Sequence, residues 1–294
     1  MGLYLKETLK YWLLDHPSIV RFRWSPTQSW GSTWSFLVTA IVIYIAAALT
    51  VHIILKIFGC RSGIPLGPIP AVHSLVMSLI SATIFAGMLL SAVAEIRDTR
   101  WLWQRTRNHS LEWFLCFPLG IRPCGRVFFW SYAFYLWRFL HLFRTLFAVL
   151  RNRKLSFSRV FNHSMLLIMS FLWLEFSQSF QVLAILFSTL IYTVMYGYRF
   201  LREIGLPCKD FSFTVSCQIL VLGCNLVCHV GVLSLHFLRG GCNGIGAWVF
   251  NSLLNAAILL LFFKSYANMY CQKKDSNSTT HHDLVKLVAV EGKT

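Results

Sequence analysis

Seven stretches of predominantly apolar residues dominate this chain, six of them at least the roughly 20 residues that a helix needs to cross a bilayer core and the fourth shorter, ending at Glu175, and they leave it few ways to fold. They run approximately over 34–58, 71–94, 127–149, 161–174, 181–200, 213–238 and 246–270. At that depth water cannot pair with backbone amides and carbonyls, so each stretch is expected to be helical. The fold class that follows is an all-α integral membrane protein, a bundle of seven transmembrane helices. Composition agrees: of 294 residues, 56% are hydrophobic and only 13% charged, and mean hydropathy is +0.59.

Three segments are expected. Residues 1–33 contain YWLLDHPSIVRFRW, broken by Pro17 and rich in aromatic side chains, the composition of a segment lying at the membrane surface. Lys6, Glu7, Lys10, Asp15, Arg21 and Arg23 precede the first spanning run, so a cleaved signal is not expected. Residues 34–270 form the seven-span domain, and 271–294 a flexible C-terminal tail. The net charge of +16 is carried by short Lys/Arg blocks beside apolar runs, where it sets topology and meets anionic head groups; nucleic acid is excluded as a partner. The dense RNRK run at 151–154 lies in the short connection between the third and fourth spans. Short basic loops stay cytoplasmic, which puts the C-terminus in the cytoplasm and the N-terminus in the lumen.

The third span carries the feature that most needs explaining. Arg138, His141 and Arg144 follow one another at helical spacing and project from one side of an otherwise apolar helix. Such a trio at membrane depth faces a cavity or the bundle interior. The alternative is that Arg144 snorkels to the head groups together with Arg151, Arg153 and Lys154. Nine cysteines form no CxxC pair and no Cys/His zinc spacing, so no metal site is expected.

The residues around the trio, YLWRFLHLFRT and then LSFSRVFNHS, resemble the ELO family of fatty-acid elongases, particularly its plant members. Further blocks occur in the family's order: AVHSL, CFPLG, GRVFFWSYAFYL, VMYGY, SCQI and GCNGIGAWVFN. The resemblance implies a bundle in the endoplasmic reticulum membrane enclosing a narrow acyl tunnel. It also implies a very-long-chain 3-oxoacyl-CoA synthase, which joins malonyl-CoA to an acyl-CoA with loss of carbon dioxide. No bound cofactor is implied; acyl-CoA and malonyl-CoA are the substrates, and other elongase-complex subunits are partners.

Residue by residue, the family's lysine, glutamate and aspartate in the third span fall on Arg138, His141 and Arg144, with Thr145 retained. Its histidine box falls on Arg159, Val160, Phe161, Asn162 and His163. In the fifth span its asparagine and histidine fall on Ser188 and Tyr192, while Met195, Tyr196 and Tyr198 remain and Arg199 replaces a tyrosine. In the sixth, Gln218 is retained. The imidazoles left for acyl-accepting or base chemistry are His163 and His141. Arg138, Arg144, Thr145, Arg159, Asn162, Met195, Tyr196, Tyr198 and Gln218 become candidate substrate-binding residues.

Two readings stay open on these residues. In one, His141 and His163 form a rebuilt site with Arg138 and Arg144 holding an anionic group. In the other, the protein no longer reacts and instead binds acyl-CoA or membrane lipid, regulating or scaffolding active elongases. Cys116 and Cys242 both fall in loops expected on the lumenal side, where oxidation is permitted, so they are expected to bridge, with Cys124 as the competing partner. Cys217, Cys224 and Cys228 recur at helical spacing as packing residues.

Overall fold

The computed structural model describes residues 2–58, 64–102, 115–151, 155, 157–206, 211–257, 259–260, 263–264 and 267. Residues 152–154 of the basic loop and the tail 271–294 lie outside them. The chain divides into two compact units, Met1–Asn251 and Ser252–Thr294. In the second, 252–257 and the other described positions are helical.

The first unit is all-helical among its described residues, apart from one isolated antiparallel bridge, Arg23 to Cys124. In order come α1 (Gly2–Lys10), a π-helical turn (Tyr11–Asp15), α2 (Pro17–Val20), α3 (Trp34–Ile57) and α4 (Ile69–Leu102). Then follow α5 (Arg126–Leu150), α6 (Phe157–Glu175), α7 (Gln181–Glu203) and α8 (Phe211–Arg239), and residues 245–251 are helical again. Four of these, α3, α4, α5 and α7, are long and apolar enough to cross a membrane. Helix α6 has 19 residues and sits at the fourth expected stretch; α8 has 29 and sits at the sixth.

Local chemistry explains the ends. Thr33 caps α3 by accepting the Phe36 amide, and His16 caps α2 by accepting from Ser18, with Pro17 at the first helical position. Gly125, at φ 88°, turns the chain into α5, a conformation that costs any other residue more. Within the helices Ser74, Ser81, Ser131, Thr189 and Thr193 donate to carbonyls four residues back, so their hydroxyls stay satisfied away from water.

Helix α5 lies at the centre, packed on α3, α4, α6 and α7, while α4 and α7 pack closely on each other. The approach of α4 to α5 depends on Gly87, where an added Cβ would stand 2.1 Å from the Trp130 ring. By contrast α3 turns Val38, Val42, Ile43 and Ile53 outward, a belt for lipid chains. The N-terminal segment is peripheral only at its start. Tyr4, Tyr11 and Trp12 are exposed, whereas Ile19, Trp24 and Ser32 are buried. Trp24 donates its indole N–H to Glu175 at 2.9 Å, and its amide to Pro123 at 2.9 Å, fixing this segment against the end of α6 and the entry to α5.

The same end of the bundle carries a covalent and hydrogen-bonded knot. Cys116 and Cys242 form a disulfide with Cα atoms 5.2 Å apart. Beside it Asn243 Nδ2 donates to the carbonyls of Phe176 and Ser177, and its Oδ1 accepts the Gly120 amide. The Asn243 amide donates to Phe117, and its carbonyl accepts from the amide and hydroxyl of Ser179. Three connections, before α5, between α6 and α7, and after α8, are thereby tied together.

Candidate functional site

Helix α5 is amphipathic in an unusual sense: its inward stripe is cationic. Arg138 and His141 are 4% and 2% exposed, and Arg144 is half-buried. No carboxylate occurs in α3 or α5. In α6 and α7 the carboxylates, Glu175 and Glu203, stand at the last position of each helix, and they are engaged by Trp24 and Arg151.

Arg138 is held by aromatic faces in place of an acid. Its guanidinium carbon lies 4.4 Å from the Phe134 ring centre, 5.4 Å from Trp137 and 5.1 Å from Tyr192, and its Nε and Nη1 are buried without a hydrogen-bond partner among the described residues. Cation–π contact compensates part of the desolvation of the charge, but leaves those N–H groups unmet. His141 lies one helical turn on, its ring 4.1 Å from Trp137 and 4.9 Å from Tyr192. Its Nδ1 pairs with the Tyr196 hydroxyl at 2.8 Å, and its Nε2 is buried without a partner among the described residues.

Helix α6 brings His163 to the same place, its ring centre 6.2 Å from that of His141. His163 makes no hydrogen bond among the described residues. Arg144, Arg138, Arg159 and Arg199 are the charges that act on it. Arg144 also acts on Tyr196 and Arg199, so it turns toward this cluster rather than outward to head groups. Arg199 from α7 stacks 5.4 Å from the Tyr196 ring, with Nη1 buried and unpartnered among the described residues.

The remaining candidates divide. Asn162 has Oδ1 buried without a partner. Met195 is 5% exposed beside Tyr196. Thr145, fully buried, accepts the hydroxyl of Tyr44 at 2.8 Å, so its side chain is engaged by α3. Tyr198 is half-buried on the next part of α7. Gln218 lies on α8, but its side chain falls outside the described residues. On the far side of the Tyr44–Thr145 pair runs an apolar groove of about 380 Å³ between α3 and α5, lined by Phe36, Ala40, Ile43, Tyr44, Phe139 and Phe143 among others. Among the described residues no three His, Cys, Asp or Glu side chains gather as metal ligands.

Sequence reasoning left Arg199, Tyr192, Trp137 and Tyr44 out of the site. Three of these had a signal. Tyr192, Tyr196 and Arg199 repeat at i, i+4 and i+7, one stripe of α7, and Trp137 adjoins Arg138. Tyr44, a single tyrosine in an apolar run, carried none.

Comparison with known proteins fits this arrangement. The family model described as ELO, the GNS1/SUR4 family, matches residues 29–278. The chain belongs to the ELO family. A protein of Arabidopsis thaliana described as "Fatty acid elongase 3-like" is 60% identical over 273 residues, covering 92% of this chain and 94% of the relative. More distant ELO-type relatives from Dictyostelium discoideum include "Fatty acid elongase A", 25% identical over 90% of this chain and 93% of the relative. "Fatty acid elongase sre1" from the same organism is 22% identical over 90% and 93%. No solved structure gives a significant match. The matched region contains α3 to α8, and with them the whole cluster on α5, α6 and α7.

Proposed function

We propose that this ELO-family protein binds acyl-CoA at the Arg138–His141–Arg144 cluster and condenses it with malonyl-CoA to 3-oxoacyl-CoA, in very-long-chain fatty-acid synthesis. The observation that carries this is the adjacency of two imidazoles, ring centres 6.2 Å apart, beside Arg138 and Arg144, neither of which pairs with a carboxylate among the described residues. In the reaction His163 accepts the acyl group, its ring nitrogen bonding the carbonyl carbon as the C–S bond breaks and CoA leaves as the thiolate. The malonyl carboxylate departs as carbon dioxide, and the electron pair of that bond becomes a thioester enolate. The enolate carbon attacks the acyl carbon, the His163 bond breaks, and the CoA thiolate takes up a proton. Arginine N–H groups stabilise the negative oxygens that form along the way.

The reading places seven spans in the endoplasmic reticulum membrane, N-terminus lumenal and C-terminus cytoplasmic. The Cys116–Cys242 disulfide supports an oxidising compartment at the end of the bundle opposite the basic run that begins at Arg151. Other elongase-complex subunits are the partners this assigns.

One observation favours a second reading. Guanidiniums enclosed without carboxylates bind an external anion whether or not chemistry follows, so a non-catalytic acyl-CoA or lipid-binding protein that regulates active elongases would show the same cluster. The purified protein with labelled malonyl-CoA and a panel of saturated acyl-CoAs decides between them. Condensation is expected, with 3-oxoacyl product abolished in His163→Ala. Acyl-CoA retained by the wild type without product would establish the binding reading instead.

A further inference from the structure

We infer that Tyr196 holds His141 with a proton on Nε2, and that this N–H, together with Nε and Nη1 of Arg138, forms a donor set for an anionic oxygen of the substrate. The inference rests on the proposed function for the identity of that substrate, and it removes His141 from the list of nucleophiles.

A neutral imidazole has one N–H and one lone-pair nitrogen, and a phenol has one O–H. The Tyr196 hydroxyl, on a side chain 1% exposed, has His141 Nδ1 as its hydrogen-bond partner at 2.8 Å. The charged groups acting on Tyr196, Arg144 and Arg199, are guanidiniums, which accept nothing. If Nδ1 carried the proton, the Tyr196 O–H would be buried with no acceptor, at the cost of an unmade hydrogen bond. The O–H therefore donates to Nδ1, and the imidazole proton sits on Nε2.

That N–H is buried and unpartnered, as are Nε and Nη1 of Arg138. The two side chains leave α5 one turn apart and pack on the same ring, Arg138 at 5.1 Å and His141 at 4.9 Å from the centre of Tyr192. Three buried donors, two of them on the guanidinium's full positive charge, require a ligand atom that only accepts. The shared chemistry is an anionic oxygen, and its two sources are the free carboxylate of a malonyl group or a phosphate of CoA. Tyr196 acts through His141 and is a positioning residue.

The test uses the full chain in phosphatidylcholine nanodiscs, measuring affinity for malonyl-CoA, acetyl-CoA and CoA, and thermal stabilisation by inorganic phosphate. Glutamine places an amide N–H near the Nε2 position but is neither base nor nucleophile, so His141→Gln is expected to bind within about threefold of wild type. His141→Ala and Arg138→Met, which remove a donor to a charged oxygen, are expected to bind about tenfold more weakly or worse. Tyr196→Phe weakens binding in the wild-type background but not in His141→Gln, where no imidazole proton needs placing. Preference for malonyl-CoA over acetyl-CoA assigns the donors to the carboxylate; equal binding of all three ligands assigns them to a CoA phosphate. His141→Gln as damaging as His141→Ala overturns the inference, as does a Tyr196→Phe effect equal in both backgrounds. Phosphate stabilisation with the same variant pattern, but no binding of any CoA ligand, would refute the proposed function and leave the donor set standing. No response to phosphate or to CoA ligands would refute both.

Discussion

Replacing Asn243 by alanine tests whether the knot at the disulfide end carries stability of its own. The side chain makes three hydrogen bonds, from Nδ2 to Phe176 at 3.0 Å and to Ser177 at 3.1 Å, and from the Gly120 amide to Oδ1 at 3.2 Å. Each is worth a net of about 0.5–1.5 kcal/mol. Two of the three are exposed to solvent, where water replaces the lost partner, so the sum falls to roughly 2 kcal/mol. Asn243→Asp is the sharper variant: it is nearly isosteric, keeps Oδ1, but turns an anionic oxygen toward two carbonyls. It is expected to cost at least as much as alanine. The measurement is denaturant unfolding of the protein in detergent micelles, under oxidising conditions so that Cys116–Cys242 stays closed. A Cys116→Ser background is run beside it. Both the disulfide and Asn243 hold residues 242–243 to residues 116–120, so the two changes are expected to be non-additive. An alanine variant within about 0.5 kcal/mol of wild type, or an aspartate variant as stable as asparagine, would refute the argument that Nδ2 bridges the α6–α7 connection.

Two further outcomes follow from packing and charge. Gly87→Ala drives a methyl group to 2.1 Å from the Trp130 ring, and is expected to destabilise by about 1–3 kcal/mol, read as a lowered midpoint in the same unfolding assay; an unchanged midpoint would mean that α4 and α5 separate freely. Arg151 is raised above its ordinary range by the hydrogen bonds it donates to the Glu203 carboxylate, opposed by slight burial. A base raised in the folded state contributes stability that is fully present below its unfolded value and lost only as pH rises through the folded one, beyond any working pH. The pair, with side chains 35% and 33% exposed, is therefore expected to leave stability flat between about pH 6 and 9, and Glu203→Gln to cost less than about 1 kcal/mol, shrinking with salt.

What the sequence by itself determined is local. Apolar runs of spanning length had to be helices because the bilayer offers no other partner for backbone amides, and Thr33, Pro17 and Gly125 mark ends through their own cap and dihedral chemistry. Helical spacing put Arg138, His141 and Arg144 on one side, and the same rule applied to α7 aligns Tyr192, Tyr196 and Arg199. Only the tertiary structure decided which stripes meet. That depends on how closely α4, α5 and α7 approach, set by small residues such as Gly87 against Trp130, and spacing along one helix says nothing of distance to the next. Asn243 carried no periodic signal at all, since a loop residue acquires its role from carbonyls more than sixty positions away. Nor does the chain itself say which nitrogen of His141 holds the proton: that is fixed by Tyr196, 55 residues on, because a buried phenol must donate to the one acceptor it meets.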